Sequence, residues 1–158
     1  MEENEFKELF FETKFTMSIL INLTGTKNRR FVILKPCILF TSNDEEIVKK
    51  IKNELQLQTN ITETNKTKKR VNKRYNIMVQ KFSEIHHIIE KFKGNIEGDR
   101  LIIFEKCFKE IENVGHINTS WDDRFEDIID MKLKLNTNRK QFNKKQWIDK
   151  IKKHFDDL

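Results

Sequence analysis

The period of apolar positions changes several times along this chain, and each change marks an element. Phe6, Leu9, Phe10 and Phe11 fall on one side of a helix over Glu2–Glu12. From Phe15 the period drops to two. Phe15, Met17, Ile19, Ile21 and Leu23 alternate with Thr16, Ser18, Leu20, Asn22 and Thr24, the signature of a half-buried strand with a mainly polar outer face. Thr24-Gly25-Thr26-Lys27-Asn28 reads as a turn, and Arg29–Phe40 as the returning strand of a hairpin. Ser42-Asn43-Asp44-Glu45 supplies capping side chains and acids for a helix to about Leu55 that buries Ile47, Val48, Ile51 and Leu55. Leu57–Thr64 alternates again, Asn65–Arg70 is a basic turn, and Val71–Gln80 returns with Val71, Tyr75, Ile77 and Val79 inward. Helical spacing then takes over, in Phe82–Phe92, Leu101–Val114, Trp121–Leu135 and Lys144–Phe155. Helix, hairpin, helix, hairpin and a run of helices make an α+β pattern around an antiparallel sheet.

At 158 residues, with no linker long enough to divide it, the chain reads as a single domain over residues 1–158. No stretch is apolar for long enough to span a membrane as a helix, so no membrane partner is expected. Cys37 and Cys107 sit in apolar surroundings without paired spacing and read as small core residues. No Cys/His set has zinc spacing, and the serines and histidines form no nucleophilic constellation. The net charge of +6 and pI near 9.2 fit attraction to phosphate backbones, which a well-solvated surface alone would also allow. The first residues are acidic and resemble neither a secretory signal nor an Arg-rich presequence. The absence of alanine, beside many Lys, Asn, Ile and Phe, points to an A+T-rich coding genome. Organellar genomes are one such case, which makes a mitochondrion or another organelle the expected location of an organelle-encoded chain.

Four stretches carry a family likeness: Lys35-Pro36-Cys37-Ile38-Leu39-Phe40 into Asp44-Glu45-Glu46, Tyr75-Asn76-Ile77-Met78-Val79 into Ser83–Phe92, Asp99-Arg100 into Phe104–Phe108, and Ile128–Lys140 around Leu135-Asn136. In this order and spacing the chain resembles the LAGLIDADG homing endonucleases over nearly its whole length, as a member with one motif. The resemblance implies one αββαββα unit with a saddle-shaped antiparallel sheet and additional C-terminal helices. It also implies a motif helix that pairs closely with a second copy through small residues, and an acid at its foot that holds divalent metal. The matching stretch here is Leu9-Phe10-Phe11-Glu12-Thr13-Lys14-Phe15-Thr16. Phe10 and Phe11 stand where small residues are wanted, so a close homodimer of the family type is not expected. Glu12 falls on the first acid, but the metal-binding acid falls on Lys14, and an ammonium cannot ligate Mg²⁺. The motif is therefore vestigial in this register, with no catalytic residue and no metal. A slip in the register would make Glu12 the acid, and Mg²⁺ would then be required.

The outer-face residues become the implied nucleic-acid contacts. They are Thr16, Ser18, Asn22 and Thr24 on the first strand, Gln58, Asn60, Thr62 and Thr64 on the third, and Asn72, Arg74, Asn76 and Gln80 on the fourth. Any half-exposed antiparallel sheet has such a face. The added feature is that both hairpin tips are basic: Lys27, Arg29 and Arg30 at one, Lys66, Lys68, Lys69 and Arg70 at the other. A further run, from Arg139-Lys140 through Lys144-Lys145 to Lys150-Lys152-Lys153, reads as a phosphate contact or as a charged helix exterior. The expected function is non-catalytic binding of nucleic acid, RNA before DNA. Ribosomal RNA in a mitochondrial ribosome is its most concrete form, with other ribosomal proteins as neighbours. The choice of RNA rests on family and context, since the aromatic stacking motifs of single-strand readers are absent. The alternatives are an active homodimeric DNA endonuclease or intron maturase, and a module that docks acidic proteins through its basic tips.

Overall fold

The computed structural model describes residues 3–64, 73–93, 98–135 and 141–156. Its elements, in chain order, are α1 (Glu3–Phe11), β1 (Lys14–Thr26), β2 (Arg29–Ser42), α2 (Glu45–Glu54), β3 (Thr62–Thr64), β4 (Arg74–Val79), α3 (Phe82–Lys93), α4 (Asp99–Val114), β5 (Ile117–Asn118), α5 (Phe125–Leu135) and α6 (Lys144–Asp156). The sheet is antiparallel where its register is defined, with strand order β1-β2-β4-β3 and β5 paired to β2. The chain folds as two compact units, residues 1–17 with 37–98 and residues 18–36 with 99–158. Strands β1 and β2 each contribute to both.

In the first unit β2 pairs with β4 from Ile38↔Val79 to Ser42↔Tyr75, and β4 pairs with β3 from Thr62↔Asn76 to Thr64↔Arg74. Ile38, Phe40, Ile77 and Val79 are buried at period two, while all three residues of β3 are exposed. Helix α2 starts on Asp44, whose carboxylate accepts from the Glu46 N–H at 3.0 Å, and it buries Val48 and Ile51. Helix α3 buries Ile85, Ile88, Ile89 and Phe92. Helix α1 delivers Phe10 into an aromatic cluster, with ring centroids 4.6 Å from Phe6, 4.8 Å from Phe92, 5.8 Å from Phe15 and 5.9 Å from Phe40. Thr13 is buried just beyond α1, and its hydroxyl donates to the carbonyls of Leu9 and Phe10, both at 3.3 Å. Those carbonyls belong to the turn where a helix runs out of its own donors.

In the second unit the β1–β2 hairpin closes through a two-residue turn, Lys27-Asn28. Gly25 just before it has φ +113°, and a Cβ there would lie 2.1 Å from the Arg29 carbonyl oxygen. Only glycine fits that combination of dihedral and contact. Gly25→Ala is expected to lower stability by about 1–3 kcal/mol, read from urea unfolding. An unchanged midpoint would mean that the turn adopts another path.

Helices α4 and α5 pack together through Phe104, Cys107, Phe108 and Ile111 on one and Phe125, Ile128 and Ile129 on the other, all buried. Helix α5 starts at Phe125 rather than at Trp121. Asp122 accepts from the Arg124 N–H at 2.9 Å and ends the preceding turn, and the side-chain and backbone N–H groups of Arg124 hold its carboxyl down to about 2. The guanidinium of Arg100 donates to the carbonyl of Leu135, placing a cation on the last turn of α5. The short β5 was not foreseen. It pairs with Val32 and Ile33 and has only two residues, too few to show a period.

Both cysteines are buried and neither forms a disulfide. Burial pushes the Cys107 thiol up to about 12. Thiol-modifying reagents are therefore expected to label the chain only after denaturation. Rapid labelling of the folded protein would contradict this packing.

Candidate nucleic-acid interface

The outward side of the first unit's strands is organised around one amide. Asn76 lies opposite Thr41 on β2 and Thr62 on β3. Its Oδ1 accepts from the Thr41 hydroxyl at 2.9 Å, and its Nδ2 donates to Thr64 Oγ1 at 2.7 Å. The Thr62 hydroxyl donates to the Asn76 main-chain oxygen at 3.4 Å. These bonds preset the side chains that face solvent and limit their rotamers, while leaving hydroxyls and an amide with further capacity for a ligand. Arg74 is half-buried at the start of β4, and Met78, 47% exposed, breaks the polar row between Asn76 and Gln80. Gln80 Nε2 leans on the Met78 sulfur at 3.5 Å.

Strand β3 is shorter than the alternation Leu57–Thr64 predicts. Only Thr62–Thr64 pairs with β4, so Gln58 and Asn60 are not strand residues. Both are exposed in the segment that follows a turn at Gln56, where φ is +53°. Gln58 Oε1 accepts from Lys81 at 3.3 Å. Leu57 is buried and Thr59 donates to both carboxylate oxygens of the buried Glu84, at 3.1 and 3.2 Å. The apolar–polar alternation therefore reflects an irregular segment anchored at every second residue rather than a ladder. Lys66, Lys68, Lys69, Arg70 and Asn72 lie outside the described residues.

In the second unit Asn22 and Thr24 are exposed and Ser18 is half-buried, all on the side of β1 opposite buried Ile19. Thr16, of the first unit, is exposed in the same alternation. At the hairpin tip Lys27 and Arg29 are exposed, the Arg29 guanidinium lying 5.2 Å from the Phe31 ring centroid. Arg30 is half-buried, and its Nε is buried without a hydrogen-bond partner. Lys27 and Arg29 are therefore the tip cations best placed for phosphate. The tip is held by α6: His154 Nε2 faces the carbonyls of Thr24 at 2.9 Å and Phe31 at 3.0 Å. Both partners are acceptors, so this nitrogen carries the proton.

The basic run on α6 divides into separate jobs. Lys144 pairs with Asp130 at 3.0 Å, Lys152 lies over the Trp121 ring at 4.7 Å, and Lys150 lies over Phe142 at 4.4 Å. Arg139 and Lys140 lie outside the described residues. Sequence reasoning missed Lys132, which is buried on α5 and donates to the Ile19 carbonyl at 2.5 Å. Burial pushes its ammonium below the ordinary lysine range.

At the junction of α1 and β1, Glu12 and Lys14 are both exposed. Phe10 is turned into the unit's own aromatic core, so it does not obstruct a second helix as its position in the motif suggests. Glu5 and Glu8 of α1 and Glu12 just beyond it are exposed, at spacings of three and four. Apposing two copies through these residues would bring like charges together.

No protein-family model matches the sequence, and no curated relative does. Solved structures do match. An archaeal intron-encoded homing endonuclease, I-Vdi141I, complexed with DNA, superposes with a TM-score of 0.71 at 14% identity, over 96% of this chain and 95% of that one. The homing endonuclease I-TnaI gives 0.71 at 11% identity, over 96% and 99%. The LAGLIDADG meganuclease I-CpaMI, bound to uncleaved DNA, gives 0.69 at 17% identity over 94% of this chain, which spans 48% of its length. This chain has the LAGLIDADG homing-endonuclease fold. Within that fold, the Asn76 ladder and the Asn22–Thr24 row lie on the sheet, and Lys14 opens β1 shortly after α1.

A divalent metal is the cofactor the fold implies, and the donor set at this junction does not fit one. It offers one carboxylate, Glu12, and next to it an ammonium that repels a cation. Among the described residues no three His, Cys, Asp or Glu side chains come together to hold a metal.

Proposed function

We propose that this protein binds a structured nucleic acid and does not cut it, with RNA as its natural ligand. The observation that carries the reading is a lysine at the foot of the motif helix, in a fold whose solved examples include endonucleases bound to DNA. The strand residues suited to base edges and sugars are retained: Thr16, Asn22, Thr24 and the Asn76 ladder. The residue needed for metal-dependent hydrolysis is not. Tip cations Lys27 and Arg29 supply the phosphate contacts. An A+T-rich coding source supports an organellar ribonucleoprotein as the setting, and ribosomal RNA of a mitochondrial ribosome as the ligand. Other ribosomal proteins would then be its neighbours.

The test is binding to a structured RNA and to a duplex DNA of matched length across a salt series. Affinity is expected to fall linearly on a log–log plot against salt, with RNA bound more tightly at each concentration. Salt-independent binding, or none, would remove the reading and favour a protein partner. Tighter binding of the DNA would remove its RNA half.

A further inference from the structure

The second unit carries a recess of about 620 Å³, bordered by residues 21–24, Ile33 and Lys35 of the hairpin and by Trp147 and Lys150 of α6. Its size lies within the range of small-ligand sites. Ile33 and Lys35 alternate with the buried Val32 and Leu34, and Asn22 and Thr24 alternate with Ile21 and Leu23, so the recess borders the exposed polar row and takes its apolar wall from the other side of β1. No carboxylate lines it among the described residues. Its chemistry is two ammonium groups, one amide that both donates and accepts, one hydroxyl and an indole, beside the aliphatic side chains of Ile21, Leu23 and Ile33.

The indole is held in place. Trp147 is half-buried, packs edge-to-face on Phe142 at 5.3 Å, and has the Lys132 ammonium 5.3 Å from its ring centroid. Its Nε1 is buried and has no hydrogen-bond partner. Lys150 is kept at the rim by Phe142, which is 40% exposed. A rigid aromatic surface beside cations and an Asn is the combination that takes a nucleobase by stacking and its phosphate by charge. A fully paired duplex keeps its bases in the stack and cannot offer one to a recess.

We propose that this recess receives a single unpaired nucleotide of the bound nucleic acid. The base lies against Trp147, Asn22 and Thr24 bond its polar edge or its sugar, and Lys35 and Lys150 hold the flanking phosphate. The inference rests on the nucleic-acid reading above and adds the element recognised.

The experiment uses the full chain carrying Trp121→Phe, which leaves Trp147 as the sole indole reporter. It is titrated with an RNA hairpin carrying one bulged nucleotide and with the same hairpin fully paired. The bulged form is expected to quench Trp147 fluorescence and to bind about tenfold tighter. Lys150→Gln, at an exposed position, should erode that preference and leave the paired hairpin's affinity nearly unchanged. Equal, salt-dependent binding of both hairpins without quenching would overturn the recess and leave the proposed function standing. Binding of neither would overturn both. Equal quenching by an acidic peptide would overturn the inference in favour of a protein ligand.

Discussion

Phe10→Ala is expected to lower the stability of this protein by about 3–5 kcal/mol, the usual cost of deleting a large aromatic from a packed core. The side chain is 7% exposed and meets four other phenylalanine rings within 5.9 Å. No single neighbour can collapse into the space without breaking its own ring contacts. The measurement is the urea midpoint of the variant at an unchanged m-value. The same variant separates two readings of the motif helix. If Phe10 faced a second copy, its removal would leave the monomer's stability intact and alter association instead. A stability loss below about 1 kcal/mol, smaller than core deletions give, together with a change in oligomeric state, would show that the helix is turned the other way.

The second large effect is on binding. Lys27→Gln/Arg29→Gln removes the two exposed tip cations while keeping side-chain length close to the original. If each neutralises one phosphate, the log–log salt slope should fall by about two, and affinity by about thirtyfold at roughly 0.15 M salt. The fold should be unaffected, since neither residue is buried and Arg29 gives up only its approach to Phe31. Arg30→Gln should do less to the slope, because its guanidinium is partly enclosed. An unchanged slope in the double variant would place the phosphate path elsewhere on the protein.

What could be seen in the sequence was what repeats. β1 and β2 span enough residues for period two to show, and α2 is amphipathic enough for Val48, Ile51 and Leu55 to be read as buried, although Ile47 beside them is only half-buried. Asp44 could be identified as a cap because capping is local chemistry. The errors have a different source. Gln58 and Asn60 alternate with Leu57 and Thr59, but those two residues are anchored by burial and by Glu84, not by a neighbouring strand. One face of a short helix could not be ranked either. Phe10 and Phe11 are adjacent, and only the tertiary contacts of Phe10 show which way it points. The recess is formed by residues more than a hundred positions apart, Asn22 and Thr24 with Trp147 and Lys150, so no local pattern announces it. The one available signal was Trp147 three residues before Lys150, on an otherwise charged helix.

The central claim, binding without cutting, is tested most directly with the unmodified protein, Mg²⁺, and matched structured RNA and duplex DNA substrates, reading bound fraction and substrate integrity from the same samples. The account predicts salt-dependent binding with every substrate intact, and the same result for Glu12→Gln. Specific Mg²⁺-dependent cleavage of DNA that disappears in Glu12→Gln would contradict it, and would mean that Glu12, not Lys14, stands at the metal position.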